Sequence, residues 1–308
     1  MSALDLFGSQ STLVPAGTGS AAVLDLTIWT TAFFGVVFLG VLALIWLAWR
    51  RERPAGAWWV WSGGIVLPLV SILLLMAAST HILVSTTRAD ENAFVIDVTG
   101  HMFWWDVVYD PEGRALRDAN ELVLPAGQSV TLRLRSNDVI HSFWVPSISG
   151  KMDMIPGRTN QLTITATEPG LYRGQCAEFC GLSHPRMAFE VRVLAPDDFI
   201  AWLDDAEGEA RDAAQPELLN GREVFLASGC AACHEIRGVA EGGRLGPDLT
   251  RVGARGSLGA GMWRMNQGNM AGWIADVGDM KPGAQMPSYN HLSGPELRTL
   301  SAYLVSLK

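Results

Sequence analysis

Positive charge is the first thing this 308-residue sequence is short of: 23 lysines and arginines face 31 acidic residues, for a formal charge of −8. A surface that binds phosphate backbones needs a cationic excess, so nucleic-acid partners are excluded. An acidic surface suits a basic protein partner, and it also keeps soluble parts dissolved. Cysteine is scarce as well. Cys176 and Cys180 form one close pair and Cys230 and Cys233 another. Disulfides within such short segments would close tiny loops and stabilise little, so metal binding or haem attachment is the better account of both pairs.

Charge is missing outright in two stretches. None occurs from Leu26 to Trp49, and from Ala55 to Ser85 the one titratable side chain is His81. A bilayer core needs about 20 apolar residues, so the first run and a second from Trp58 to about Leu83 predict a transmembrane helical hairpin within residues 24–86. Between them lies Arg50-Arg51-Glu52-Arg53-Pro54, whereas residues 1–23 hold no lysine or arginine. The positive-inside rule places that turn in the cytoplasm, and the N-terminal segment 1–23 and everything after residue 86 on the extracytoplasmic side of a bacterial inner membrane. Trp46, Trp49, Trp58, Trp59 and Trp61 fit an interfacial belt in the lipid bilayer. The N-terminus has no basic n-region, so no cleaved signal peptide is evident, and the first span can serve as an uncleaved one.

Residues 87–194 have another rhythm. Phe94–Val98, Ser129–Leu134, Gln161–Thr165 and Ala188–Val193 are β-rich runs separated by Pro-Ala-Gly and Glu-Pro-Gly turns, which predicts an antiparallel sandwich or barrel. Between the last two strands stands Cys176-Ala-Glu178-Phe-Cys180-Gly-Leu-Ser-His184-Pro-Arg-Met187, with His141 well upstream. Two thiolates, two imidazoles and a thioether are soft ligands suited to copper. A mononuclear blue-copper site takes one cysteine, and here there are two. With one histidine and one weak ligand for each of two metals, the natural solution is a pair of coppers bridged by both sulfurs. Met187 is one weak ligand and the main-chain carbonyl of Glu178 the other. A tetrahedral Cys2His2 zinc site is the competing reading, although it would leave Met187 without a role.

At this loop the sequence closely resembles subunit II of haem–copper cytochrome c oxidases, whose CuA loop reads C-x-E-x-C-G-x-x-H-x-x-M and whose distant histidine opens an H-S-F-x-V/I-P segment. His141-Ser142-Phe143-Trp144-Val145-Pro146 has that form. The resemblance covers the two-helix anchor and the whole β region. It implies a cupredoxin-like barrel, a binuclear CuA centre and a magnesium contact through Glu178 at the catalytic subunit. Two departures stand out. The aromatic segment that receives electrons in the family, G-H-Q-W-x-W, here reads Gly100-His101-Met102-Phe103-Trp104-Trp105, so the receiving tryptophan falls on Phe103, with Trp104 beside it. The family's helix-two glutamate, associated with proton uptake, is absent from Trp61-Ser62-Gly63-Gly64 ahead of Pro68.

An acidic stretch, 195–216, carries Asp197, Asp198, Asp204, Asp205, Glu207, Glu209 and Asp212 and reads as a partly helical tether that holds the C-terminal region at a raised effective concentration near the copper. In that last region, 217–308, Cys230-Ala-Ala-Cys233-His234 is a C-x-x-C-H motif, in which both thiols join haem c as thioethers and the histidine sits under the iron. The opposite ligand is a methionine, to be chosen among Met262, Met265, Met270, Met280 and Met286. Lys281-Pro-Gly-Ala-Gln-Met286-Pro287 resembles the K-P-G-x-x-M-P segment of class I cytochromes c and favours Met286 over Met280. Gly221, Phe225, Leu300 and Tyr303 match the two crossing terminal helices of that all-α family.

The order of anchor, copper domain, linker and cytochrome domain resembles the fused subunit II of caa3-type oxidases. That implies relay of electrons from haem c to CuA and on to a haem–copper subunit I, with subunit III alongside and a soluble or membrane cytochrome c or another donor upstream. No catalytic residue is assigned to this chain, because no histidine cluster for an oxygen-reducing centre lies in its spans. Two other readings stay open. One is the accessory subunit of a copper-containing nitric oxide reductase, and the other, which the C-x-x-C-H motif argues against, is a membrane-tethered copper carrier or assembly factor.

Overall fold

The computed structural model describes residues 10–50, 56–87, 90, 93–110, 112–210 and 214–308. Arg51 to Pro54 of the arginine-rich turn, residues 1–9 of the N-terminal segment, and Asp212 lie outside the described residues. Two helices, Thr18–Arg50 and Ala57–Thr87, are long and apolar enough to cross a membrane. They expose apolar side chains all round, Trp29, Val36 and Leu39 on the first and Ile72, Leu74 and Met76 on the second, as a span facing lipid does. The second passes through a π turn, Ser62–Val66. Pro68 stands two residues beyond it. It offers no N–H and its ring crowds the carbonyl four residues back, and a wider turn at Gly63-Gly64 absorbs that conflict.

The first helix is fastened to the soluble part at its start. Ser20 donates its N–H to the Ile148 carbonyl (3.2 Å) and its hydroxyl to that of Ser147 (2.7 Å), while Thr167 N–H reaches Ala16 O (2.8 Å). Gly17 lies so close to Ile148 that a side chain there would collide with its carbonyl.

The β region is two five-stranded sheets. Strands β1 (Phe94–His101), β2 (Trp104–Tyr109), β3 (Leu116–Ala119), β4 (Glu121–Pro125), β5 (Ser129–Ser136), β6 (His141–Trp144), β7 (Met152–Met154), β8 (Asn160–Thr165), β9 (Gly170–Cys176) and β10 (Ala188–Leu194) run in chain order. One sheet has the order β3-β2-β1-β5-β8 and the other β4-β10-β9-β6-β7. Two pairs, β1 with β5 and β4 with β10, are parallel, which corrects the all-antiparallel expectation. Connections that cross between the sheets allow this, since parallel neighbours cannot be joined by a hairpin. Ile96, Val98, Trp105, Val107, Leu132 and Leu134 alternate inward to form the core, each burial worth about 1.5–3 kcal/mol.

Half of the acidic stretch is not free chain. Pro196–Ala206 is a helix whose Phe199 and Leu203 join the barrel core. Phe199 meets Phe94 edge-on at 5.5 Å and Trp202 meets Tyr109 at 4.9 Å. Its acids face outward, where Asp204 pairs with Arg114 and Asp205 with Arg251.

In the C-terminal domain the opening helix, Pro216–Ala227, crosses the closing helix, Gly294–Ser306. Gly221 makes the crossing close: a Cβ there would fall onto the Thr299 carbonyl and Tyr303. Phe225, Leu300, Tyr303 and Leu304 fill the space around it. Ser293 and Glu296 cap the closing helix reciprocally. This domain is bonded to the barrel. Arg255 reaches Asp118 at 2.6 Å, Gly256 N–H donates to the Glu121 carboxylate at 2.7 Å, and Arg173 donates to Gly261 O at 2.7 Å.

Candidate copper and haem sites

The predicted copper ligands come together. Cys176 ends β9, His141 opens β6 beside it, and the loop returning to β10 carries Cys180, His184 and Met187. Cys176 Sγ lies 3.8 Å from His141 Nδ1 and 3.2 Å from the Glu178 carbonyl oxygen. Cys180 Sγ lies 3.6 Å from His184 Nδ1 and 3.8 Å from Met187 Sδ. The two sulfurs are 3.8 Å apart. Each sulfur therefore has its own imidazole and its own weak donor, which is the arrangement two sulfur-bridged metals need and more than a four-ligand zinc site would use. The sulfur-to-sulfur hydrogen bond holds the Cys176 thiol well below its usual range and pushes Cys180 up. One thiolate thus forms readily, the second proton being what a metal would displace.

Asp138 was not anticipated from sequence. Its carboxylate accepts from His141 Nε2 at 2.8 Å, which leaves Nδ1 free to face the sulfurs. Burial opposes the His141 cation, but bonds to Cys176 and Asp138 outweigh it and raise its pKa. The signal in sequence was only an acid three residues before the histidine. The Glu178 side chain is half-exposed, with its carboxylate 3.7 Å from Lys151 Nζ.

Phe103 and Trp104 part company. Trp104 stacks on His101 at 4.3 Å, partly exposed, whereas Phe103 is buried. Glycines crowd Phe103 from two loops: a Cβ at Gly181 would lie 3.2 Å from its ring and one at Gly283 3.3 Å. Both have positive φ, +123° and +82°, so glycine serves conformation and approach together. Gly181 belongs to the copper loop and Gly283 to the segment leading to Met286.

In the C-terminal domain Cys230–Ala232 is a single 3-10 turn, and His234 N–H bonds back to the Cys230 carbonyl, presenting both thiols and the imidazole from one compact turn. His234 Nδ1 lies 2.8 Å from the Pro247 carbonyl. A carbonyl can only accept, so Nδ1 carries the proton and Nε2 is left for an iron. Burial lowers the His234 pKa and keeps the ring neutral, as ligation requires. Gly246 lies against that ring. Among the candidate methionines, Met270 is buried in the core, Met265 packs against it, and the Met280 sulfur would lie 3.6 Å from a Cβ at Gly272. Met286 is half-buried. The donors fit a covalently attached haem.

A barrel with paired thiolates, a C-x-x-C-H domain bonded to it and two apolar helices beneath define a membrane-anchored electron-transfer protein of the copper and c-type haem class. Comparison with known proteins narrows this. The model of the cytochrome C oxidase subunit II periplasmic domain matches residues 89–194, and that of cytochrome c matches 218–308. A cytochrome c oxidase subunit 2 of Alkalihalophilus pseudofirmus is 38% identical over 71% of this chain and 62% of its own length. One of Bacillus subtilis is 30% identical over 97% of this chain and 92% of its own. The crystal structure of the periplasmic domain of subunit II of the Bradyrhizobium japonicum oxidase is 28% identical, covering 39% of this chain and 96% of that one, with a TM-score of 0.37. The chain belongs to the subunit II family of cytochrome c oxidases, with copper assigned to its barrel and haem c to its C-terminal domain.

Proposed function

We propose that this chain relays single electrons from its haem domain to its copper domain and on to the catalytic subunit I of a caa3-type oxidase that reduces oxygen to water. One observation carries the link between the two sites: the segment leading to Met286 packs against Leu182 of the copper loop, and Phe103 touches both. When bound, the two metal groups supply one-electron redox chemistry that no side chain here offers. His141, Cys176, Cys180, His184, Met187 and the Glu178 carbonyl hold two coppers, in this reading, and His234 and Met286 hold the iron, with Cys230 and Cys233 as thioethers. Burial of His141, Cys176, Cys180 and Met187 excludes water from the copper donors and fixes their positions, so a change of charge moves them little. Phe103 lies on the way between the domains and Trp104 off it. The Glu178 carboxylate is the ligand available for a magnesium ion at the contact with subunit I, exchanging Lys151 for the metal. Subunit III and an upstream cytochrome c complete the assembly, with both soluble domains extracytoplasmic.

Metal analysis of the purified complex should find two coppers and one iron for each copy of this chain, with a paramagnetic signal split over two equivalent copper nuclei. A single copper would overturn the reading. Oxygen uptake by the complex tests the acceptor, and a complex that consumed nitric oxide but no oxygen would replace it with a nitric oxide reductase.

A further inference from the structure

Of the 23 basic residues only Lys151, Lys281 and Lys308 are lysines, and Lys281 is buried, at 2% exposure. Its ammonium donates to two main-chain carbonyls in different domains, Phe103 O at 2.6 Å in the barrel and Gly259 O at 2.8 Å in the haem domain. No carboxylate is paired with it among the described residues, and burial draws its pKa down to about 7. An ammonium taken out of water costs several kcal/mol, and two carbonyl dipoles return only part of that. Stability alone would favour an apolar side chain of the same length. What the lysine supplies is geometry: a compact donor reaches both carbonyls at once, where the planar fork of an arginine would force them apart.

Its neighbours act with it. The carbonyl of Met280 accepts from Arg186 at 2.7 Å, and that of Pro282 accepts from the Ser183 hydroxyl at 2.7 Å. Three consecutive residues of the haem segment are therefore each bonded to the barrel. Two of those bonds come from residues adjacent in sequence to His184 and Met187.

We propose that Lys281 is a positioning residue for electron transfer between the domains, clamping segment 280–283 onto the copper loop so that the bond from Ser183 to the Pro282 carbonyl bridges His184 and the arm that carries Met286. Resting on the proposed haem-to-copper relay, this makes the haem domain a fixed cap, not a tethered shuttle, and closes the face over Phe103 to any outside donor. An upstream protein must deliver its electron to the haem domain.

The test uses the intact oxidase complex. Lys281→Met keeps the length and removes the donor. After rapid reduction of the haem, electron passage to copper should slow at least tenfold, with both midpoint potentials and the haem spectrum unchanged. Hydrogen exchange should rise in peptides covering 101–104 and 280–283. Lys281→Arg should restore part of the rate, because it returns donors with poorer fit. Ser183→Ala, which removes only a hydroxyl, should slow passage severalfold and carries the test if the lysine variant does not assemble. An unchanged rate in both variants would overturn the proposal. So would a slower rate accompanied by a shifted haem potential or loss of methionine ligation, since the lysine would then serve the folding of the haem segment. Absence of haem-to-copper transfer in the unaltered protein would instead sink the relay reading itself.

Discussion

The barrel and the haem domain prepare their sites differently. The barrel takes ligands distant in sequence, His141 and the 176–187 loop, and brings them to adjacent strands of one sheet, with His141, Cys176, Cys180 and Met187 all buried and each in contact with the next. The haem domain takes three of its four donors from one turn, and Cys230, Cys233, His234 and Met286 are all only half-buried. A sheet framework can finish a metal site before the metal arrives. A small helical domain leans on its cofactor for part of its core, as small domains with little apolar surface of their own commonly do.

The largest effect should come from removing the covalent haem attachment. Replacing Cys230 and Cys233 by alanine is expected to leave residues 217–308 open to limited proteolysis while the barrel stays resistant. Equal sensitivity of both would break the contrast. Next, Gly221→Leu forces a side chain into the helix crossing and should destabilise the haem domain by about 3 kcal/mol or more, read in denaturant unfolding followed at the haem band, with copper binding retained.

The interface gives a smaller, pH-dependent effect. Burial is the main cause raising the Glu121 pKa from 4.5 to about 7. The folded chain therefore binds a proton that the unfolded chain has lost between those values. Its contribution to stability is full below about pH 4.5 and is lost as pH rises through 7. Glu121→Gln, neutral throughout and still able to accept from Gly256 N–H, should flatten this dependence and raise stability at pH 8 by on the order of 3 kcal/mol at most. The comparison to make is the unfolding midpoint at pH 5 and pH 8. Equal gains at both would show that charge is not the cause. Smallest of all, Ser293→Ala removes a capping box and should cost about 1 kcal/mol, confined to the haem domain.

Much of this was legible in the sequence because the chemistry lies in short motifs. Cys176 to Met187 and Cys230 to His234 each announce a ligand set within one loop, and the β-branched runs marked β1, β5, β8 and β10. Other strands were hidden. β4 opens on Glu121 and is buried along its whole length, so it does not alternate, and β9, reading Gly-Leu-Tyr-Arg-Gly-Gln-Cys, has glycines where a strand pattern wants branched residues. The acidic run 195–216 looks like a tether because seven carboxylates dominate it, yet Phe199, Trp202 and Leu203 sit at helical spacing and supply the face that docks. The contact between domains left no trace at all. Lys281 and Phe103 stand 178 positions apart, and a lysine in a K-P-G segment reads as surface. Asp138 has no signature in the sequence, because one carboxylate near a histidine carries no pattern.

The seam at Gly17, Ser20, Ser147 and Ile148 sets a height. A helix of 33 residues is about 50 Å long, whereas the hydrocarbon of a bilayer is about 30 Å thick, so a sizeable length of the first span stands clear of the lipid. Because its upper end is sewn into the barrel, that surplus cannot be taken up by a hinge. The barrel is carried on a rigid post, and the copper loop keeps one elevation above the membrane. Thinner or thicker lipid would then register as a lean of the whole soluble part and not as a change in its clearance.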